Sequence, residues 1–141
     1  MAITFHQQGI PFQLKEKNKH KAWLRRFVET HGKRTGDIAF IFTSNELLLQ
    51  MNREYLNHNY FTDVITFDYT DESGVSGDVF ISVDQVRINA GQFGTRESGE
   101  LRRVMVHGVL HLLGFRDESD EEKRRMRILE EEALHLWSKE V

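Results

Sequence analysis

Residues 97 to 117 constrain this chain most. Val104, Val106, Val109, Leu110, Leu112 and Leu113 surround His107 and His111, and Gly114 closes the run. A helix over 97–113 with this composition is apolar on nearly every side, so both histidines are placed to be buried. With about 3.6 residues per turn, His107 and His111 stack on one face. Two enclosed imidazoles would each need a separate partner, because an unpaired buried polar group costs about 1–3 kcal/mol. One shared cation satisfies both. Gly114 stands where the helix must stop, since glycine readily takes the left-handed conformation that reverses the chain. The reversal can carry Asp117 back over the histidine face as a third ligand. Three protein ligands with an open position describe a catalytic zinc rather than a structural one, which is closed by four.

Composition sets the limits. The chain has 141 residues, no cysteine and seven histidines. One domain over 1–141 is expected, and any metal must rest on histidine and carboxylate. The amino-terminal Met-Ala-Ile-Thr-Phe-His has neither a basic flank nor a long apolar run, and no segment approaches the ~18 apolar residues of a membrane span. The simplest address is the cytoplasm. Net charge is −3, but it is unevenly spread. Lys15, Lys17, Lys19, Lys21, Arg25, Arg26, Lys33 and Arg34 crowd residues 15–34, whereas 117–132 lean acidic. A basic face of this kind is either a solvated helix surface or a footprint for a phosphate backbone.

Periodicity predicts a strand over 2–8 and a helix over 18–31 with Ala22, Trp23, Leu24, Phe27 and Val28 inward. A strand over 36–42 follows. Thr43 and Glu46 read as a capping box opening a helix to 56, with Leu47, Leu48, Met51 and Tyr55 inward. Strands over 64–69 and 77–82, joined by turn residues 71–74, suggest a hairpin. Ser82 with Gln85 starts a helix to 93. Beyond Gly114, Ser119 and Glu122 cap a final helix to 138 with Met126, Leu129, Ala133, Leu136 and Trp137 inward. The class is α+β: a small, mostly antiparallel or mixed sheet of about four strands packed with about five helices.

The spacing H-x-x-x-H-x-x-G-x-x-(H/D) also occurs in extended zinc metallopeptidases, which place a glutamate base directly after the first histidine. Here that position is Gly108, so a peptidase-like hydrolase is the second reading. The segment His107–Asp117 resembles more closely the YbeY family, whose signature runs H-G-x-L-H-L-x-G-Y-D-H. His107, Gly108, Leu110, His111, Leu112 and Gly114 match outright, Phe115 replaces tyrosine, and the family's third histidine falls on Asp117. Met51-Asn52-Arg53-Glu54-Tyr55-Leu56 with Thr62-Asp63-Val64-Ile65-Thr66-Phe67 is similar to the family's L-N-x-x-Y-R, then T-D-V-L-S-F. Ser76–Ser82 resembles its G-D-I-x-I-S strand.

This resemblance implies a single-strand-specific, metal-dependent endoribonuclease. Its work would be 16S rRNA 3′-end maturation on the small ribosomal subunit and ribosome quality control, with RNA as partner and neither DNA nor membrane. It implies one Zn²⁺ per chain, held by His107, His111 and Asp117. The family's arginine in the second block is Leu56 here. Arg53 and Arg116 are the candidates to replace it, and Arg116 joins His107 and His111 as a catalytic candidate. A third reading keeps the metal as a structural clamp in a non-catalytic ribosome-assembly factor that binds RNA through residues 15–34. Thr62 and Asp63 either line the same cleft or cap a turn and strand. Tyr55, Phe61 and Phe115 have faces that can stack a base; core packing is expected of Tyr55 and plugging of the metal turn of Phe115. His58 is expected on the surface.

Overall fold

A computed structural model describes residues 2–139. Among them lie β1 (Ile3–Gln7), α1 (Lys17–Thr30), β2 (Thr35–Thr43), α2 (Asn45–Leu56), β3 (Val64–Asp68), β4 (Val75–Ser82), α3 (Val83–Phe93), α4 (Glu97–Leu112) and α5 (Asp120–Lys139). The sheet runs β1-β2-β4-β3. β1 and β4 both lie parallel to β2, and β3 closes the far edge as the antiparallel hairpin partner of β4. The sheet is therefore mixed, with parallel pairing predominating. α1 is the crossover between the parallel strands β1 and β2, whereas α2 leads from β2 into β3, which runs the opposite way, and the hairpin turn then brings β4 back parallel to β2.

Alternation along the strands sorts residues between the two faces. Ile38, Phe40 and Phe42 of β2 pair with Gly77, Val79 and Ile81 of β4, and together they form the floor on which α1, α3, α4 and α5 gather. Trp23, Leu24, Phe27, Val28, Met126, Leu129 and Ala133 are buried in that core as expected, and the Trp23 indole N–H reaches the Ala133 carbonyl at 2.7 Å, tying α1 to α5. Ala22, expected inward, is exposed. On the opposite face, Tyr55 of α2 meets the edge of Phe67, which in turn meets Phe80.

Two further local readings change. The cap of α2 is Ser44, whose hydroxyl accepts from the Leu47 amide, because Thr43 is still in the strand and donates its own hydroxyl to the Gln8 carbonyl. Tyr55, expected inward, is 65% exposed: it lies in the last turn of a helix that covers only part of the sheet. Ser82 caps α3 through the Gln85 amide, and Ser119 and Glu122 exchange the reciprocal bonds of a capping box.

The central helix α4 lies against the hairpin. A Cβ built on Gly108 would stand 2.6 Å from Val79 Cγ1 and 3.4 Å from Thr66 Cγ2. The neighbour is a stiff β-branched side chain in the sheet. Gly108→Ala is expected to lower stability by about 1–3 kcal/mol through overpacking, read as a reduced urea midpoint with an unchanged m-value. An unshifted midpoint would show that α4 is not pressed onto β4 here. The same contact bears on the peptidase reading, since the site that would carry its glutamate faces the sheet and holds no side chain.

Candidate metal centre

Local structure builds the centre. Gly114 has φ 98°, and α4 ends in paired backbone bonds from Phe115 N–H to the Leu110 carbonyl and from Gly114 N–H to the His111 carbonyl, both 3.0 Å. This is the Schellman arrangement, which needs a left-handed residue. It brings the Phe115 carbonyl to 3.0 Å from His111 Nδ1. Two residues further on, Asp117 returns over the helix face.

His107 Nε2 lies 3.0 Å from His111 Nε2, and Asp117 Oδ2 lies 3.2 Å from the first and 3.7 Å from the second. One ligand atom from each of the three residues thus falls within 4.8 Å of the others. The outer nitrogens decide the chemistry of the inner ones. His107 Nδ1 is 2.6 Å from Glu130 Oε2, and His111 Nδ1 faces the Phe115 carbonyl. A carboxylate and a carbonyl only accept, so each Nδ1 carries the ring proton and each neutral imidazole turns a bare Nε2 lone pair inward. Two such lone pairs and a carboxylate oxygen then converge with no proton among them. A positive charge between them, a shared proton or a metal ion, relieves that clash, and these donors suit a divalent ion of borderline softness.

The surroundings carry excess negative charge. The Arg103 guanidinium bonds Glu100 through Nε and Nη2, reaches Glu130 Oε1 at 3.2 Å, and lies 3.7 Å from Asp63 Oδ2. Asp63 also accepts from Asn89 Nδ2 at 3.2 Å. The single guanidinium of Arg103 thus stands among Glu100, Glu130, Asp63 and, across the histidines, Asp117. Burial opposes the charged form of His107, but the hydrogen bond and charge of Glu130, helped by Asp117 and Asp63, outweigh it and push its pKa up. Burial and the neighbouring His107 push His111 down. The pair favours one positive charge between the rings, the position a metal ion would share.

His107, His111 and Asp117 are brought together as the spacing predicts. Arg116 is exposed, and the Glu122 carboxyl is held low mainly by the Ser119 amide, with the Arg116 charge a lesser help. Arg53 is also exposed and is bonded to Asn59. Phe115 packs its ring on the core, with His31 at 5.7 Å between ring centroids. Phe61 is 57% exposed, and His58 lies on the surface. Thr62 lines a cavity of about 230 Å³ together with His111, whereas Asp63 turns to Arg103.

Glu100, Arg103 and Glu130 were not singled out from the sequence, although a signal exists. Glu100, Arg103, His107 and His111 recur at helical spacing as a polar stripe on an otherwise apolar helix. Glu130 sits among Met126, Leu129 and Ala133, a carboxylate on an inward face.

Fold and site together define a class: a one-domain α+β protein whose central helix, with its closing turn, carries a His-His-Asp cluster fit for a divalent cation. The sequence profile of the family described as Endoribonuclease YbeY matches residues 2–138. Curated relatives described as Endoribonuclease YbeY include one from Parabacteroides distasonis, 44% identical over 140 residues and 99% of each chain. Another, from Bacteroides thetaiotaomicron, is 44% identical over 136 residues, covering 96% of this chain and 99% of the relative. The chain belongs to the YbeY family. A solution structure from Thermotoga maritima shares the fold with TM-score 0.68 and 24% identity, over 98% of this chain and 91% of the other. Among the described residues, no helix is long and apolar enough to cross a membrane.

Proposed function

We propose that this protein is a zinc-dependent endoribonuclease that cuts single-stranded RNA, acting in the cytoplasm on the 16S rRNA 3′ region of the small ribosomal subunit and in ribosome quality control. Family membership supports RNA as the substrate. The observation that carries the metal is the convergence of His107 Nε2, His111 Nε2 and Asp117 Oδ2 while both Nδ1 atoms are bonded elsewhere. The chemistry a divalent ion supplies to such a donor set is Lewis-acid polarisation of a phosphoryl oxygen and activation of water.

The chain's own residues do the rest. Glu130 and the Phe115 carbonyl hold the imidazoles in the ligating tautomer, the outer-sphere role that orients metal ligands. Arg116, exposed next to Asp117, meets the phosphate charge of RNA in place of the arginine replaced by Leu56. RNA brings a 2′-hydroxyl of its own, so strand cleavage does not require a glutamate at position 108. The basic face of α1 gathers the phosphate backbone.

Purified protein is expected to hold about one zinc per chain, and chelation should stop cleavage of a single-stranded rRNA fragment until zinc is restored. Asp117→Asn, which removes the anionic ligand and keeps the shape, is expected to weaken zinc binding at least about tenfold. Cleavage at full rate after verified metal removal would overturn this reading. Retained zinc with no cleavage of any RNA would instead make the protein an assembly factor with a structural metal.

A further inference from the structure

The cavity beside the cluster has a polar wall that the metal chemistry leaves unused. It lies between the end of α2, the loop 57–63 and β3, opens to solvent, measures about 230 Å³, and includes Asn52, His58, Tyr60, Thr62, Thr66 and His111 in its lining. A planar group the size of one nucleobase fits such a space.

The loop is built around Asn52, which is 1% exposed. Its backbone carbonyl accepts from the amides of Asn57 and His58, and its side-chain Nδ2 donates to the Tyr60 carbonyl at 2.9 Å. Because a carbonyl only accepts, this bond settles the orientation of the amide: nitrogen toward Tyr60, oxygen away from it. Among the described residues no protein group donates to that oxygen. The enclosed side-chain atoms without partners among the described residues are His20 Nε2 and Thr35 Oγ1, so Asn52 Oδ1 reaches open space, and the space lined by Asn52 is this cavity. An enclosed side chain thus offers one free acceptor to whatever enters.

The rim adds a stacking surface. The Tyr60 ring lies on the His58 imidazole with centroids 5.1 Å apart and planes 22° from parallel, and the Tyr60 hydroxyl is 3.0 Å from His58 Nδ1. Tyr60 is 56% exposed although its neighbour holds the ring in place. Aromatic faces of this kind stack single-stranded bases with little regard to sequence.

We propose that this cavity takes one unpaired nucleobase of RNA, bound through a base N–H donated to Asn52 Oδ1 and stacked on Tyr60. The inference rests on the endoribonuclease reading and adds the residue that positions a base next to the cluster, since His111 belongs to both. A base paired in a duplex uses its Watson–Crick N–H in the pair and stays stacked in the helix, so it does not enter the cavity. Asn52 is a positioning and specificity residue, not a ligand of the metal.

The test pairs Asn52→Ala with single-stranded oligonucleotides whose bases are methylated in turn on the Watson–Crick nitrogens, such as N3-methyluridine and N6,N6-dimethyladenosine. For the unmodified protein, methylation at one position is expected to raise KM about tenfold, the scale of one lost hydrogen bond in an enclosed site, with kcat little changed. For Asn52→Ala, KM is expected to be high already and to respond little to the same methylation. An equal loss on methylated and unmethylated RNA would mark Asn52 as loop scaffolding only and overturn the proposal, as would indifference of the unmodified protein to methylation at every position. Anisotropy with uncleavable 2′-O-methyl oligonucleotides reads the same coupling in binding alone. Failure of cleavage therefore counts against the endoribonuclease reading, and failure of the coupling against the base pocket.

Discussion

His111→Ala is expected to lose zinc and RNA cleavage together while leaving the metal-free fold nearly as stable as before. His111 Nε2 is 3.0 Å from its partner imidazole nitrogen, so its removal leaves His107 and Asp117 as a two-donor site, below the three protein ligands of a catalytic zinc. The stability change is small because two effects oppose. The bond from Nδ1 to the Phe115 carbonyl disappears, costing about 1 kcal/mol, but the clash of two facing lone pairs disappears with it. The contrast appears on adding metal. Zinc at about one hundred times its dissociation constant stabilises a competent protein by about 2.7 kcal/mol, so the parent's melting midpoint should rise with zinc and the variant's should not. A variant that still takes up one equivalent and cuts RNA at the parent rate would remove His111 from the centre.

The second large effect is expected at Glu130, which touches no substrate. Its carboxylate is buried, with Oε2 on His107 Nδ1 at 2.6 Å and Oε1 on Arg103 at 3.2 Å. Glu130→Ala strips His107 of the acceptor that holds its ligating tautomer, and outer-sphere losses of this kind cost about 10–100-fold in metal affinity. It also leaves part of a half-buried guanidinium uncompensated. Breaking a buried pair costs about 3–5 kcal/mol; since Arg103 keeps Glu100 and some solvent contact, about 2–3 kcal/mol is expected here. Glu130→Gln should recover part of both, because an amide oxygen can still accept from one partner. Urea unfolding with chelator isolates the stability effect, and zinc titration isolates the affinity. If Glu130→Ala binds zinc like the parent, the imidazole is oriented by packing alone.

These two variants also mark different degrees of legibility. His107, His111, Gly114 and Asp117 lie within eleven consecutive residues, and their convergence follows from one helical turn and one reversal. Nothing distant is needed to foresee it. Glu130 lies 23 positions beyond His107, and its partnership depends on how α5 crosses α4. Periodicity marks the inward face of α5 yet does not say which residue of another helix it meets. The Thr43 and Tyr55 readings changed for a related reason: a strand can run one residue further, or a helix can overhang its sheet, without altering the local pattern.

Sequence alone determined the elements, most of their inward faces and the three-donor cluster, because backbone geometry over a few residues governs each of these. Only the tertiary structure decided the parallel pairing of β1, β2 and β4, the clamp of Arg103 between Glu100 and Glu130, and the unpaired amide oxygen of Asn52 in its cavity. Each of these brings together groups far apart in the chain, and their relative placement is set by the packing of helices on the sheet rather than by spacing.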